Sequence, residues 1–211
     1  MSTPTQPPAP PRVADPAGER VAAVVLAAGA SSRMGGPNKL LLPVDGRPMV
    51  RGVVERVLEA GAWPVVVVTG RDVAAVRNAC SGLPVRFVHV DDFTGPTSGS
   101  LHAGLRALGD DADAALVMLA DMPRVTAAML RDVVEAVRRP DVPLAVSRYG
   151  DVLAPPLAFR RALWPELLAW HGEGCGKAVV RAHEREATML DRPVEALQDV
   201  DTPEDYASLV G

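Results

Sequence analysis

Short apolar runs alternate with amphipathic stretches along most of this chain. Val21 to Leu26, Val65 to Thr69, Val85 to Val90 and Ala114 to Ala120 are rich in β-branched and small apolar residues. Runs of this length bounded by turn-forming residues predict buried strands. Between them, residues 48–60, 72–79 and 100–108 predict helices, and Thr126 to Arg138 places Met129, Val133, Val134 and Val137 on one side of another. This alternation predicts a single doubly wound, mostly parallel α/β sheet with helices on both faces, a Rossmann-like fold. Ligands in such folds bind beyond the carboxyl ends of the strands.

The second half is less regular. Leu144 to Val146 predicts a strand. Asp151 to Phe159 carries Pro155 and Pro156, which suits an edge strand or an irregular crossing. Arg161 to Trp170 and Lys177 to Arg185 predict helices, and residues 187–190 and 195–200 predict short strands. Pro203 opens a final helix at its first turn.

Composition narrows the function classes. The chain has 211 residues, 48% of them hydrophobic, enough for one domain with a sizeable core. Its net charge of −4, with both signs intermingled, argues against a nucleic-acid surface. Two distant cysteines, Cys80 and Cys175, and four scattered histidines exclude a disulfide framework and a structural zinc site. Residues 1–20 hold six prolines and little apolar bulk, which predicts a disordered tail ahead of one domain spanning 21–211. With no secretory pattern in that tail and no apolar run long enough for a membrane span, a cytoplasmic protein is expected.

The segment after the first strand carries the chemistry. Leu26-Ala27-Ala28-Gly29 opens a loop of small residues holding two cations, Arg33 and Lys39. Small residues let backbone N–H groups approach an anion, Arg offers a planar fork, and Lys acts as a mobile charge. The pattern predicts a nucleotide phosphate site. It is not a Walker loop, because Lys39 is followed by Leu40, and the dinucleotide G-x-G-x-x-G spacing is absent.

This loop resembles the signature of the molybdenum cofactor nucleotidyltransferases, most of all their cytidylyltransferase branch. Three further segments resemble that family in the same order: Thr97 to Leu105, Leu119-Ala120-Asp121-Met122-Pro123, and Asp199 to Asp205. The resemblance runs from about Val21 to Leu209 and implies a nucleotidyltransferase fold, with a nucleotide-binding half over 21–140 and an acceptor half over 141–211. It implies that Leu26, Ala27, Ala28, Gly29, Arg33, Lys39, Ser98, Gly99 and Ser100 bind the nucleotide. Arg33, Lys39 and Asp121 would be catalytic, with Lys39 at the α-phosphate, and Asp121 and Asp201 would hold Mg²⁺. Asp199 is a competing ligand. Helix N-caps are the structural alternative for both Asp121 and Asp201.

Ala28, where the guanylyl branch has a second Gly, favours CTP over GTP. The implied reaction moves CMP onto a molybdopterin-type phosphate and releases pyrophosphate. A molybdoenzyme or its maturation factor stands as a candidate protein partner, with no nucleic acid and no membrane involved. A phosphate acceptor needs no strong general base, in keeping with a chain that shows no hydrolase triad. Gly174, Gly176 and Lys177 match the acceptor segment, with Lys177 in place of the family's Arg. The family's G-H-P is replaced by Ala154-Pro155-Pro156, which opens the alternative of a different phosphorylated acceptor. GTP as donor, and a nucleotide- or cofactor-binding protein without catalysis, are the remaining alternatives. Among the histidines, His102 is singled out by its place in the serine-rich segment. Cys175 has no visible base to activate it as a nucleophile.

Overall fold

The computed structural model describes residues 19–29, 34, 36, 38–172 and 174–210. Arg33 and most of the proline-rich segment lie outside the described residues, so the expectations placed on them have no structural counterpart here.

Seven strands form one sheet: β1 (Val21–Ala27), β4 (Val65–Thr69), β5 (Arg86–His89), β6 (Ala114–Leu119), β7 (Leu144–Tyr149), β8 (Val152–Arg160) and β9 (Thr188–Asp191). A two-stranded hairpin, β2 (Pro43–Val44) with β3 (Arg47–Pro48), stands apart. The order across the sheet is β5-β4-β1-β6-β8-β7-β9. Only β8 runs against the others. Helices α1 (Met49–Glu59), α2 (Val73–Ala79) and α4 (Ala127–Arg138) cover one face. Helices α3 (Thr97–Leu108), α5 (Trp164–Ala169) and α6 (Cys175–Ala182) cover the other, and α7 (Pro203–Val210) closes the described chain. The expected doubly wound, mostly parallel sheet is therefore the observed one.

Burial on both faces explains why the central strands read as unbroken apolar runs. In β1, Val21, Ala23 and Val25 pack with α1 and α4, while Ala22 and Val24 pack with α3. Helix α3 lies close because position 104 is glycine: a Cβ there would collide with the Val24 side chain. The chain winds outward from β1 to β4 and β5, then returns to β6 on the other side of β1. That reversal opens a crevice beyond the carboxyl ends of β1, β4 and β6, the place where such folds bind ligands.

Two expectations fail in the second half. The Pro155-Pro156 segment is not an edge. It belongs to β8, a nine-residue strand between β6 and β7. The prolines are tolerated because register slips there: Val146 pairs with Leu157, but Ser147 pairs with Ala154, so both fall in a bulge that asks for no backbone donor. Residues 195–200 are not a strand either. Val194–Leu197 forms a 3₁₀ turn before an irregular stretch leading to α7.

Candidate active site

Lys39 stands at the centre of the crevice. Beyond the β1 loop, Asn38 caps a short 3₁₀ turn, Lys39–Leu41, its Oδ1 accepting from the Leu40 amide at 3.1 Å. The turn buries the Lys39 side chain to 8% exposure and aims it across the end of β6. Its Nζ donates to Asp121 Oδ2 at 2.6 Å and to Asp201 Oδ1 at 2.7 Å. Residues 82 and 162 positions away in sequence thus meet on one ammonium.

Neither aspartate is a helix cap. Helix α4 starts at Ala127 and is capped by Thr126, whose Oγ1 accepts from the Met129 amide, so Asp121 is left outside it. Before α7, Thr202 Oγ1 accepts from the Asp205 amide at 3.2 Å, and Asp205 Oδ2 accepts from the Thr202 amide at 2.8 Å. That reciprocal pair is a capping box. It occupies Thr202 and Asp205 and leaves the Asp201 carboxylate directed at Lys39. The two aspartates are also joined through backbone, since the amide of fully buried Val200 donates to the Asp121 carbonyl at 3.1 Å.

The charges follow this geometry. Burial favours a neutral amine at Lys39, but the charge and hydrogen bond of Asp121, and then those of Asp201, outweigh it and raise its pKa. Asp199 does not share the ammonium. Desolvation first, then repulsion from Asp201 and Asp121, push its carboxyl above the ordinary range.

Oxygen donors on two carboxylates suit a hard divalent cation whose remaining ligands come from phosphate and water. The Lys39 ammonium marks a position that both carboxylates already hold around a positive charge. The donor set therefore fits a hard divalent cation such as Mg²⁺ or Mn²⁺. Among the described residues, no cluster of three or more His, Cys, Asp or Glu side chains forms a metal cage without substrate.

The loop opening at Leu26 to Gly29 borders the same crevice. Ala27 and Ala28 are buried and Gly29 is exposed. Gly70, at the end of β4, has no room for a side chain, because a Cβ would run into the Ala28 carbonyl and Phe93. Arg71 follows it, with Nη2 3.5 Å from the Gly36 carbonyl and Nε 3.3 Å from Asp72. Arg71 is not among the cations singled out from the sequence.

Ser98, Gly99 and Ser100 lie within the first turn of α3, which starts three residues earlier than expected. Buried Ser98 accepts through Oγ from the Gly172 amide at 3.1 Å, tying this segment to the loop before α6. A cavity of about 480 Å³ opens between the two, lined in part by Asp91, Ser98, His102, His171 and Gly172. His102 is buried, with Nε2 on the Leu167 carbonyl at 2.8 Å and its ring edge-on to His171, so it serves packing.

Gly174 caps α6 with a left-handed φ of 63°, and Gly176 and Lys177 occupy its first turn. The α6 start thus precedes the expected one, and none of these three residues lines the cavity. Buried Cys80 is inert: burial pushes its thiol up to about 11. No helix among the described residues is long and apolar enough to cross a membrane.

Known proteins are similar to this chain in sequence and in fold. The chain is 35% identical over 179 residues to the bifunctional protein GlmU of Anaeromyxobacter sp. (strain K), covering 82% of this chain and 34% of that protein. It thus spans about a third of the length of the curated relatives it matches. Among solved structures, Rv0371c from Mycobacterium tuberculosis H37Rv is 28% identical with a TM-score of 0.79, covering 91% of this chain and 98% of that one. A further structure of that protein is described as a complex with manganese. A nucleotidyl transferase from Methanothermobacter thermautotroptrophicus (Mth528) is 30% identical with a TM-score of 0.77, covering 90% of this chain and 96% of that one. The MobA-like NTP transferase domain pattern matches residues 23–188, from the third residue of β1 to the first of β9, and the chain belongs to that family.

Proposed function

We propose that this protein is a divalent-metal-dependent nucleotidyltransferase that moves CMP from CTP onto the phosphate of a molybdopterin-type acceptor. The observation that carries the reading is the meeting of Lys39, Asp121 and Asp201 beside the Leu26–Gly29 loop. Family membership and the neighbouring nucleotidyl transferase support the reaction class. Ala28 and the sequence resemblance support CTP and the acceptor.

An oxygen of the acceptor phosphate attacks the α-phosphorus of CTP. The bond from that phosphorus to the α–β bridging oxygen breaks, and pyrophosphate leaves with the electron pair. A dianionic acceptor phosphate has no proton to lose, so the site needs no general base. Backbone amides of residues 28, 29 and 36, with Arg33 and Arg71, would hold the triphosphate. Asp121 and Asp201 would hold Mg²⁺, which supplies Lewis-acid stabilisation and orientation when bound. Lys39, released from a carboxylate, would carry its fixed positive charge to the α-phosphate as negative charge builds there. Gly174, Gly176 and Lys177 would receive the acceptor phosphate. A different phosphorylated acceptor is the second reading, favoured by Pro155 and Pro156 in the β8 bulge and by Lys177, which cannot form a bidentate phosphate clamp.

Calorimetric titration with CTP and with GTP, each with and without Mg²⁺, tests the proposal. Metal-dependent binding of CTP alone is expected. Binding of GTP alone moves the donor to the guanylyl type, and binding of neither overturns the reading. Nucleotide binding without pyrophosphate release, over a panel of phosphorylated acceptors, indicates a binding protein without catalysis.

A further inference from the structure

We infer that Asp205 is a positioning residue that sets the Asp201 carboxylate against Lys39. The inference rests on the reading of Asp201 as a metal-binding carboxylate of the active site. Its basis is a hydrogen bond beyond the needs of the helix. A capping box requires Thr202 and Asp205 to exchange their two bonds, and both are made. Asp205 Oδ2 accepts a further one, from the amide of Asp201 itself, at 3.0 Å. One carboxylate oxygen thus gathers two consecutive amides and fixes the backbone on the carboxyl side of Asp201.

The amino side is fixed as well. The Val200 amide is held by the Asp121 carbonyl, so Asp201 is anchored between strand β6 and helix α7. Helix α7 is in turn tied down where Tyr206 Oη donates to the Pro43 carbonyl at 2.8 Å, two residues beyond the Lys39–Leu41 turn. Tyr206 therefore joins the element that carries Asp205 to the element that carries Lys39. The Thr202 side chain first, then the Thr202 and Asp201 amides, draw the Asp205 carboxyl below its ordinary range, which keeps an anionic acceptor in place. Asp205 makes no hydrogen bond or ion pair with Lys39 among the described residues and feels its charge only as the weakest of its influences, so its hold on the site runs chiefly through Asp201.

The test compares Asp205→Ala, Asp205→Glu and Asp201→Asn in the full chain. Mn²⁺ affinity in the presence of CTP, followed by electron paramagnetic resonance, is the first readout, and pyrophosphate release is the second. Asp205→Ala is expected to weaken Mn²⁺ about tenfold and to lower kcat by a similar factor, with KM for CTP within about twofold. Asp205→Glu restores most of both, since Glu is the usual residue at this place in a capping box. A merely structural role would lower the melting temperature without shifting the metal requirement or separating kcat from KM. Impaired Asp201→Asn beside an Asp205→Ala protein with unchanged Mn²⁺ affinity overturns the positioning role alone. Unchanged metal binding and turnover in Asp201→Asn overturns the reading of the site, and the positioning role with it.

Discussion

The crevice at the ends of β1 and β6 and the region around α5 and α6 are built on opposite terms. In the crevice, the three charged groups described are each held by regular structure or by several bonds. Lys39 sits on a capped 3₁₀ turn, Asp121 follows a strand buried along nearly its whole length, and Asp201 is anchored on both sides. Around α6, the candidate phosphate-binding residues sit on a two-turn helix approached through Gly172 and Gly174, both at positive φ. It is held by buried Val179 and Val180, by the Ser98–Gly172 bond before it and by His183 at its far end. The difference teaches where tolerance lies. The proposed nucleotide and metal roles fall on charges held by several bonds, while Lys177 is exposed in the first turn of α6, where a substitution for another acceptor would disturb less.

The sharpest way to break that contrast is Asp121→Asn, which removes a charge from the rigid site at almost constant volume. Turnover is expected to fall about a thousandfold, equivalent to ~4 kcal/mol of transition-state stabilisation, with the circular dichroism spectrum unchanged. A fully active variant would end the reading. Lys39→Met comes next. It leaves two carboxylates, each about a fifth exposed, facing one another without a counter-charge. Breaking a fully buried pair costs about 3–5 kcal/mol, and partial exposure here brings the expected loss to about 2 kcal/mol. Urea unfolding with and without Mg²⁺ measures it, and added metal should stabilise the variant more than the parent.

Lys177→Arg probes the looser region. A planar fork replaces a point charge, so KM for the acceptor is expected to fall about threefold, under 1 kcal/mol, with KM for CTP unchanged. An equal change in both would mean that the two regions are not separable. The smallest effect is at His183, whose Nε2 lies 2.9 Å from Glu166 and links α6 to α5. Glu166 chiefly, with help from Glu186, raises the His183 pKa above its ordinary 6.5. The contribution of this contact is therefore complete below about 6.5 and is lost as pH rises through the raised folded-state value. His183→Gln should cost below ~1 kcal/mol at pH 6 and nothing at pH 9 in parallel unfolding curves.

The contrast also marks what sequence alone could reveal. Strands buried on both faces announce themselves, and the Val65–Thr69 boundaries are those expected. The β8 prolines left an edge strand and an irregular crossing open, and only the second agrees with the structure, because a bulge is a property of paired strands and no pattern within one of them reports it. Lys39, Asp121 and Asp201 were legible as candidates. A metal shared by the two aspartates already implied that they meet; their direct pairing with the Lys39 ammonium was not legible, since it depends on which residue caps each helix. An Asp-Thr-Pro run allows Asp201 or Thr202 to cap, and only the bonds of Thr202 with Asp205 decide it. Arg71 escaped notice because a single arginine after a strand has no pattern of its own.

Strand β8 has one more consequence. It is the sole partner of β6 on the side away from β1, pairing residues 114–117 with 157–160. A fragment ending after α4 would present Ala115, Leu116 and Val117 as a bare, apolar sheet edge, a template for aggregation. The part of the chain proposed to hold the nucleotide therefore depends on the part proposed to hold the acceptor to finish its own sheet. During synthesis, the β6 edge stays open until β8 has left the ribosome, and the chemical border between the two halves is not a line along which they can be cut.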